Sequence, residues 1–147
     1  MTSVLVSATR GDLNQFYLNT LLGRSLKQHP HQDWQCMITA NNSAPLADAY
    51  NDAISQSDSQ SLILFCHDDV WLGENNLIPI LQAALNQYDV VGVAGNRRSQ
   101  QGQIAWIVDP TTNRRDHDYL VGEIEHGTPV NKTNSCYGPT PASASLL

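Results

Sequence analysis

Hydrophobic and polar positions follow two rhythms along the first two-thirds of the chain. Val4-Leu5-Val6 is a short β-branched run stopped by Arg10-Gly11, and it reads as a strand. From Asp12 onward, Leu13, Phe16, Tyr17, Leu18, Leu21, Leu22 and Leu26 recur at helical spacing until Pro30 closes the segment. Residues 34–39 fit a second strand, which ends in the turn and cap chemistry of Asn41-Asn42-Ser43. The cleanest helix follows: Leu46, Ala49, Tyr50, Ala53 and Ile54 share one face, with Pro45 in the first turn. Leu62-Ile63-Leu64-Phe65-Cys66 is a continuous apolar run, the pattern of a strand buried on both faces, and it ends abruptly in His67-Asp68-Asp69. Another helix takes Leu77, Ile80, Leu81, Ala84, Leu85 and Tyr88, and residues 90–94 supply a fourth strand. This succession predicts an α/β fold, a mainly parallel sheet with helices on both faces, because each crossover must return over the sheet.

After Ala94 the rhythm fades. Residues 104–108 and 119–124 fit strands around a loop rich in Asn, Arg and Asp, and from Gly127 onward Pro, Ser, Thr, Asn and Gly dominate. The expectation is one domain over residues 1–127 and a polar, poorly ordered tail over residues 128–147, which has too little apolar surface to order itself. Apolar positions near residues 104–108 and at Leu146-Leu147 point to a face covered by a second copy of the chain.

In an open parallel sheet, ligands bind beyond the carboxyl ends of the strands. Three such ends carry polar residues: Ala8-Thr9-Arg10-Gly11, Asn41-Asn42-Ser43 and His67-Asp68-Asp69. The third is the most informative. Two adjacent carboxylates directly after a buried strand repel each other and lose hydration, so a cation is the expected compensation. A hard divalent ion with oxygen ligands, which also binds phosphates, fits that position. The competing reading is that Asp68 or Asp69 caps the following turn and that His67 is a hydrogen-bonded core residue.

Charge and composition narrow the field. A net charge of −6 leaves no basic stripe for nucleic acid. No apolar run approaches the span of a bilayer and no secretory pattern opens the sequence, so a cytoplasmic protein is expected. Cys36, Cys66 and Cys136 are widely spaced with no CxxC pair; Cys36 and Cys66 lie in apolar runs and read as small buried residues. Neither GxGxxG nor GxxxxGK occurs, which counts against dinucleotide and P-loop enzymes.

The run from Leu62 through His67-Asp68-Asp69 to Val70 resembles the strand and DxD-type motif of family 2-like glycosyltransferases, in a subgroup with His-x-Asp in place of Asp-x-Asp. The helix around Asn51 and the opening strand with its leucine-rich helix are also similar to that family, and the resemblance covers about residues 2–98. It implies a Rossmann-like GT-A sandwich that binds a UDP- or GDP-linked sugar through Mn²⁺ or Mg²⁺ and transfers the sugar to an acceptor hydroxyl. By the same resemblance, Asp69 and His67 are the metal residues. Ala8, Thr9, Arg10, Asn41, Asn42, Asn51 and Asp68 line the nucleotide-sugar site. Turn and cap duty remains the alternative for Thr9, Arg10, Asn41 and Asn51.

The resemblance also implies a further strand and then an acidic base on the acceptor side, and no carboxylate follows Glu125. The expectation is therefore a chain that lacks the acceptor and base region, whether truncated, disrupted or a stand-alone donor-binding module. Asp116, Asp118, Glu123 and Glu125 stay as formal candidates for the base. Three functions compete: a sugar transferase, a non-catalytic nucleotide-sugar-binding module completed by a partner chain, and a metal-dependent phosphohydrolase or nucleotidyltransferase using the same aspartates.

Overall fold

The computed structural model describes residues 2–29, 33–73, 76–103, 105–127 and 131–137. The chain divides into two compact units, residues 1–83 and 84–147.

The first unit is built on β1 (Ser3–Ala8), the most deeply buried strand, flanked by β2 (Trp34–Thr39) and β3 (Leu62–Phe65) in the order β2-β1-β3. Both pairings are parallel, with Ser3 opposite Trp34 on one side and Leu62 on the other. Alternation along β1 separates two cores. Leu5 packs with Phe16, Leu22 and Cys66, so the helices after β1 cover that face. Val4 and Val6 pack with Ala53, Tyr50, Met37 and Ile63, so α3 (Leu46–Gln56) covers the opposite face. The predicted parallel sheet with helices on both faces is thus present in this unit, with three strands.

Two local features differ from expectation. The single helix predicted after Asp12 is two, α1 (Leu13–Asn19) and α2 (Leu21–Gln28), broken at Thr20. Thr20 is extended there, and its hydroxyl accepts from the Gly23 amide, starting a new helix. A Cβ at Gly23 would lie 2.1 Å from the Phe16 carbonyl oxygen, so the break folds the two helices closer than any larger residue allows. The apolar run of β3 is also less covered than predicted: Phe65 is 39% exposed and Ile63 and Leu64 are half-buried. The reason is that β3 pairs only with β1 among the described residues. On β2, Cys36 is exposed, contrary to the expected burial, whereas Cys66 is buried, and both are free thiols.

Helix α4 (Leu77–Leu85) follows, apolar apart from Gln82 yet with no fully buried residue. The second unit pairs its strands antiparallel. Its three-stranded sheet has β7 (Leu120–Gly127) between β4 (Ala94–Asn96) and β8 (Lys132–Cys136), and a two-stranded ribbon joins β5 (Val108–Asp109) to β6 (Arg114–Arg115). A fourth parallel strand over residues 90–94 is not formed. Residues 90–93 are outside any strand and Val90 and Val93 are exposed, while β4 begins at Ala94. Gly122, at φ +104°, sets that register: a Cβ there would meet the Val93 carbonyl oxygen at 2.3 Å, so only glycine lets the two backbones approach. The predicted strand over residues 119–124 corresponds to β7, and in the predicted strand over residues 104–108 only Val108 is paired among the described residues 105–108. Ile104 and Leu146-Leu147, part of the expected association surface, lie outside the described residues, as do 128–130 and 138–147 of the expected tail; residues 132–136 of that tail form β8. Among the described residues, no helix is long and apolar enough to cross a membrane.

Candidate functional site

Because β1, β2 and β3 run parallel, the three polar strand ends singled out in the sequence emerge at one edge of the first unit's sheet. The chain passes from β1 to β2 on one side and returns across β1 to reach β3 on the other. The strand order therefore reverses between β1 and β3, which is where an open sheet of this kind leaves a crevice for a ligand. Ala8, the last residue of β1, with Thr9 and Arg10 after it, ends one of those two strands, and the turn carrying His67, Asp68 and Asp69 follows the other.

The β2 side of that edge is stitched by backbone. The Thr9 amide donates to the Thr39 carbonyl at 2.9 Å, the Asn42 amide to the Thr9 carbonyl at 2.9 Å, and the Asn41 amide to the Gly11 carbonyl at 2.8 Å. Thr9 is buried beneath this stitching and Arg10 is exposed. Asn41 holds a left-handed backbone at φ 52°, which asparagine tolerates better than most residues. Asn42 closes a local turn: its side-chain oxygen accepts from the Ala44 amide at 3.2 Å and its amide nitrogen donates to the Ala44 carbonyl at 3.1 Å. Turn duty thus accounts for the Asn42 side chain. Asn51 sits exposed in the middle of α3, after Tyr50, whose ring packs on Phe65 with centroids 4.6 Å apart.

On the β3 side, the Cys66 amide donates to the Val6 carbonyl at 2.9 Å, closing the last rung of the β1–β3 ladder. The turn then follows, with the Val70 amide reaching the His67 carbonyl at 3.3 Å. Its far side is anchored to α2, where the Leu22 amide donates to the Asp68 carbonyl at 3.1 Å. His67 and Asp69 are exposed and Asp68 is half-buried. Burial, reinforced by the negative charge of Asp69, pushes the Cys66 thiol up to about 11. A thiol raised in this way is held in its protonated, less nucleophilic form at neutral pH. Among the described residues, no group of three or more His, Cys, Asp and Glu side chains converges to hold an ion. If a divalent ion binds at this turn, His67 and Asp69 are the exposed side chains that would hold it, with phosphate oxygens and water completing its shell. The Asp69 carboxylate fits that chemistry, whereas the His67 imidazole is a softer donor that suits Mn²⁺ better than Mg²⁺.

Sequence reasoning missed one residue here. Ser7 lies on β1 one position past its last pairing with β3, and it is fully buried with no hydrogen-bond partner for its hydroxyl among the described residues. The signal available in the sequence was a hydroxyl after the apolar run of β1, a strand that also begins with Ser3.

Arg97 and Arg98, just after β4, have structural partners. Arg98 forms a two-pronged pair with Asp116, at 2.7 and 2.9 Å, reaches Asp109 at 3.3 Å and stacks on the Tyr119 ring at 3.9 Å. Asn96 donates to the same Asp116 carboxylate at 2.9 Å and to the Trp106 carbonyl at 2.9 Å. The Arg98 hydrogen bond holds the Asp116 carboxyl below the usual carboxylate range, with a further contribution from Asn96. Arg97 reaches the Asp118 carbonyl at 3.1 Å. Comparison with protein-family models, with curated proteins and with solved structures gives no match.

Proposed function

We propose that the first unit binds a nucleotide-diphosphate sugar, UDP- or GDP-linked, and that the protein is a cytoplasmic glycosyltransferase-like chain of GT-A type. One observation carries this reading: the strand order reverses between β1 and β3, with Ala8-Thr9-Arg10 and His67-Asp68-Asp69 on the two sides of the reversal. His67 and Asp69 would hold Mn²⁺ or Mg²⁺, which supplies positive charge against the diphosphate as the bond to the sugar breaks. Arg10, exposed just after β1, would add a second positive charge near the phosphates. Asp68 would lie toward the ribose or sugar, its backbone fixed by the Leu22 amide. Asn41 would meet the base, because Asn42 already spends its side chain on Ala44.

Transfer also needs a base for the acceptor hydroxyl. Asp116 is a poor one: both of its oxygens receive hydrogen bonds from Arg98, and its proton affinity is lowered. Asp118, Glu123 and Glu125 stay as formal candidates, and the second reading is that the chain binds the donor without turning it over.

The decisive experiment is calorimetric titration of UDP and GDP, with and without Mn²⁺, on wild type and Asp69→Ala. Metal-dependent binding that weakens at least tenfold in Asp69→Ala is expected, the loss of one charge-assisted ligand. A folded wild-type protein that binds neither nucleotide overturns the proposal. Sugar transfer to an added acceptor would separate the transferase from the binding module, and release of inorganic phosphate would point to a phosphohydrolase.

A further inference from the structure

The hydroxyl of Ser7 stands out because buried polar groups are almost always paired, and its oxygen is the one buried side-chain atom without a partner among the described residues. Its position gives the anomaly a meaning. β1 continues to pair with β2 through Ala8 and Thr39, but its pairing with β3 ends at Val6 and Phe65. Ser7 is therefore the first residue of the central strand beyond the point where β1 and β3 part. Alternation places it on the face of Leu5, the same face that Leu22 and Cys66 cover. The segment leaving β3 there is the turn His67-Asp68-Asp69, tethered to α2 by the bond from the Leu22 amide to the Asp68 carbonyl.

We propose that Ser7 is a positioning residue of the crevice, its hydroxyl donating to a phosphate oxygen of the bound nucleoside diphosphate. The inference rests on the nucleotide-sugar reading of the same crevice. Serine suits the task, since it donates one hydrogen bond without adding charge to a site that an ion and two aspartates already charge. The hydroxyl is fully covered, so it meets a ligand only when its cover shifts. Binding and a small displacement near the Leu22–Asp68 tether are coupled in this account. An unpaired buried hydroxyl destabilises the protein that carries it, so the ligand recovers a cost already present in the fold.

Ser7→Ala and the nearly isosteric Ser7→Cys separate this role from a structural one. The probes are UDP and uridine, each with Mn²⁺, read by calorimetry, alongside urea denaturation of the ligand-free protein. Ser7→Ala is expected to keep or raise the urea midpoint and to weaken UDP binding about tenfold, with Ser7→Cys between it and wild type. Uridine, which has no phosphate, should bind both proteins equally or not at all. A lowered urea midpoint with unchanged UDP affinity overturns the inference, because the hydroxyl is then serving the fold. UDP binding to wild type and Ser7→Ala alike overturns it while leaving the nucleotide reading intact. A folded wild type that binds no nucleotide overturns both.

Discussion

In the first unit the fully buried side chains are Leu5, Val6, Phe16 and Leu22 on β1 and its covering helices, with Ser7 and Ser25 among them. In the second unit Leu120 is the one large apolar side chain buried to that degree among the described residues. Its neighbour Asp116, nearly as buried, gathers Arg98, Asn96 and the Tyr119 backbone around it. One unit is ordered by apolar surface removed from water, the other by short antiparallel pairings and a charged hydrogen-bond network. The contrast teaches where function can be sought. A parallel sheet with a strand-order reversal gathers polar strand ends at one edge, where Arg10, His67 and Asp69 are exposed. In the second unit, by contrast, the polar network of Arg98, Asp116 and Asn96 is already spent on itself.

The strongest way to break this comparison is to empty the apolar core. Phe16→Ala should cost the first unit about 3–5 kcal/mol, the usual range for deleting a buried aromatic ring. Phe16 is fully covered and also meets Tyr17 edge-on at 5.0 Å. Amide hydrogen exchange should show β1, β2 and β3 losing protection while β7 and β8 keep theirs. Equal loss in both sets would show that the units unfold as one, and the contrast would then be one of composition only.

Acid should act on the other side of the comparison. The Asp116 carboxyl lies below its ordinary value because Arg98 hydrogen-bonds the ionised form, and Asp109 is lowered chiefly by the Thr111 amide. A carboxylate with a depressed folded-state value contributes stability that is complete above its unfolded value, about 3.9, and is lost as pH falls through the folded one. The second unit should therefore loosen below about pH 4. The readout is the amide protection of β4 and β7, whose strands the network joins through Asn96. Asp116→Asn should give at neutral pH the loosening that wild type shows in acid, and should remove most of the acid dependence. An unchanged acid midpoint in Asp116→Asn would show that the network is a bystander.

The same contrast explains how much was legible in the sequence. The first unit was readable because burial leaves a periodic trace: Val4-Leu5-Val6, the face from Leu46 to Ile54, and Leu62 to Cys66 each became the element their spacing predicted. The edge at which Thr9, Asn41, Asn42 and His67-Asp68-Asp69 emerge followed from those strands being parallel. The break at Thr20 was missed because the leucine spacing runs through it unbroken, although threonine is a favoured helix N-cap. In the second unit the spacing misled. Val90 and Val93 look like a buried strand, but Gly122 and the contacts of Asn96 set the pairing two to four residues later. Arg98 and Asp116 are 18 residues apart, and no local pattern announces that they meet. Ser7 was invisible for the opposite reason, since a hydroxyl after an apolar run barely disturbs the pattern.

The smallest predicted effect is also the most local. Asp12 caps α1 reciprocally: its carboxylate accepts from the Gln15 amide at 2.7 Å, and the Gln15 side chain accepts from the Asp12 amide at 3.0 Å. Both residues are exposed, so removing the carboxylate leaves helix-end amides to water and opens no cavity. Asp12→Ala should cost about 1 kcal/mol, and Asp12→Ser should recover most of it. Exchange should quicken at the first amides of α1 alone, with α2 unaffected because Thr20 caps it independently at Gly23. If α2 frays as well, the two helices share one start, and the break at Thr20 is a kink within a continuous helix instead of a second nucleation point. The extended backbone at Thr20 predicts the first outcome, and with it a first unit whose helices can be loosened one at a time while β1 stays closed.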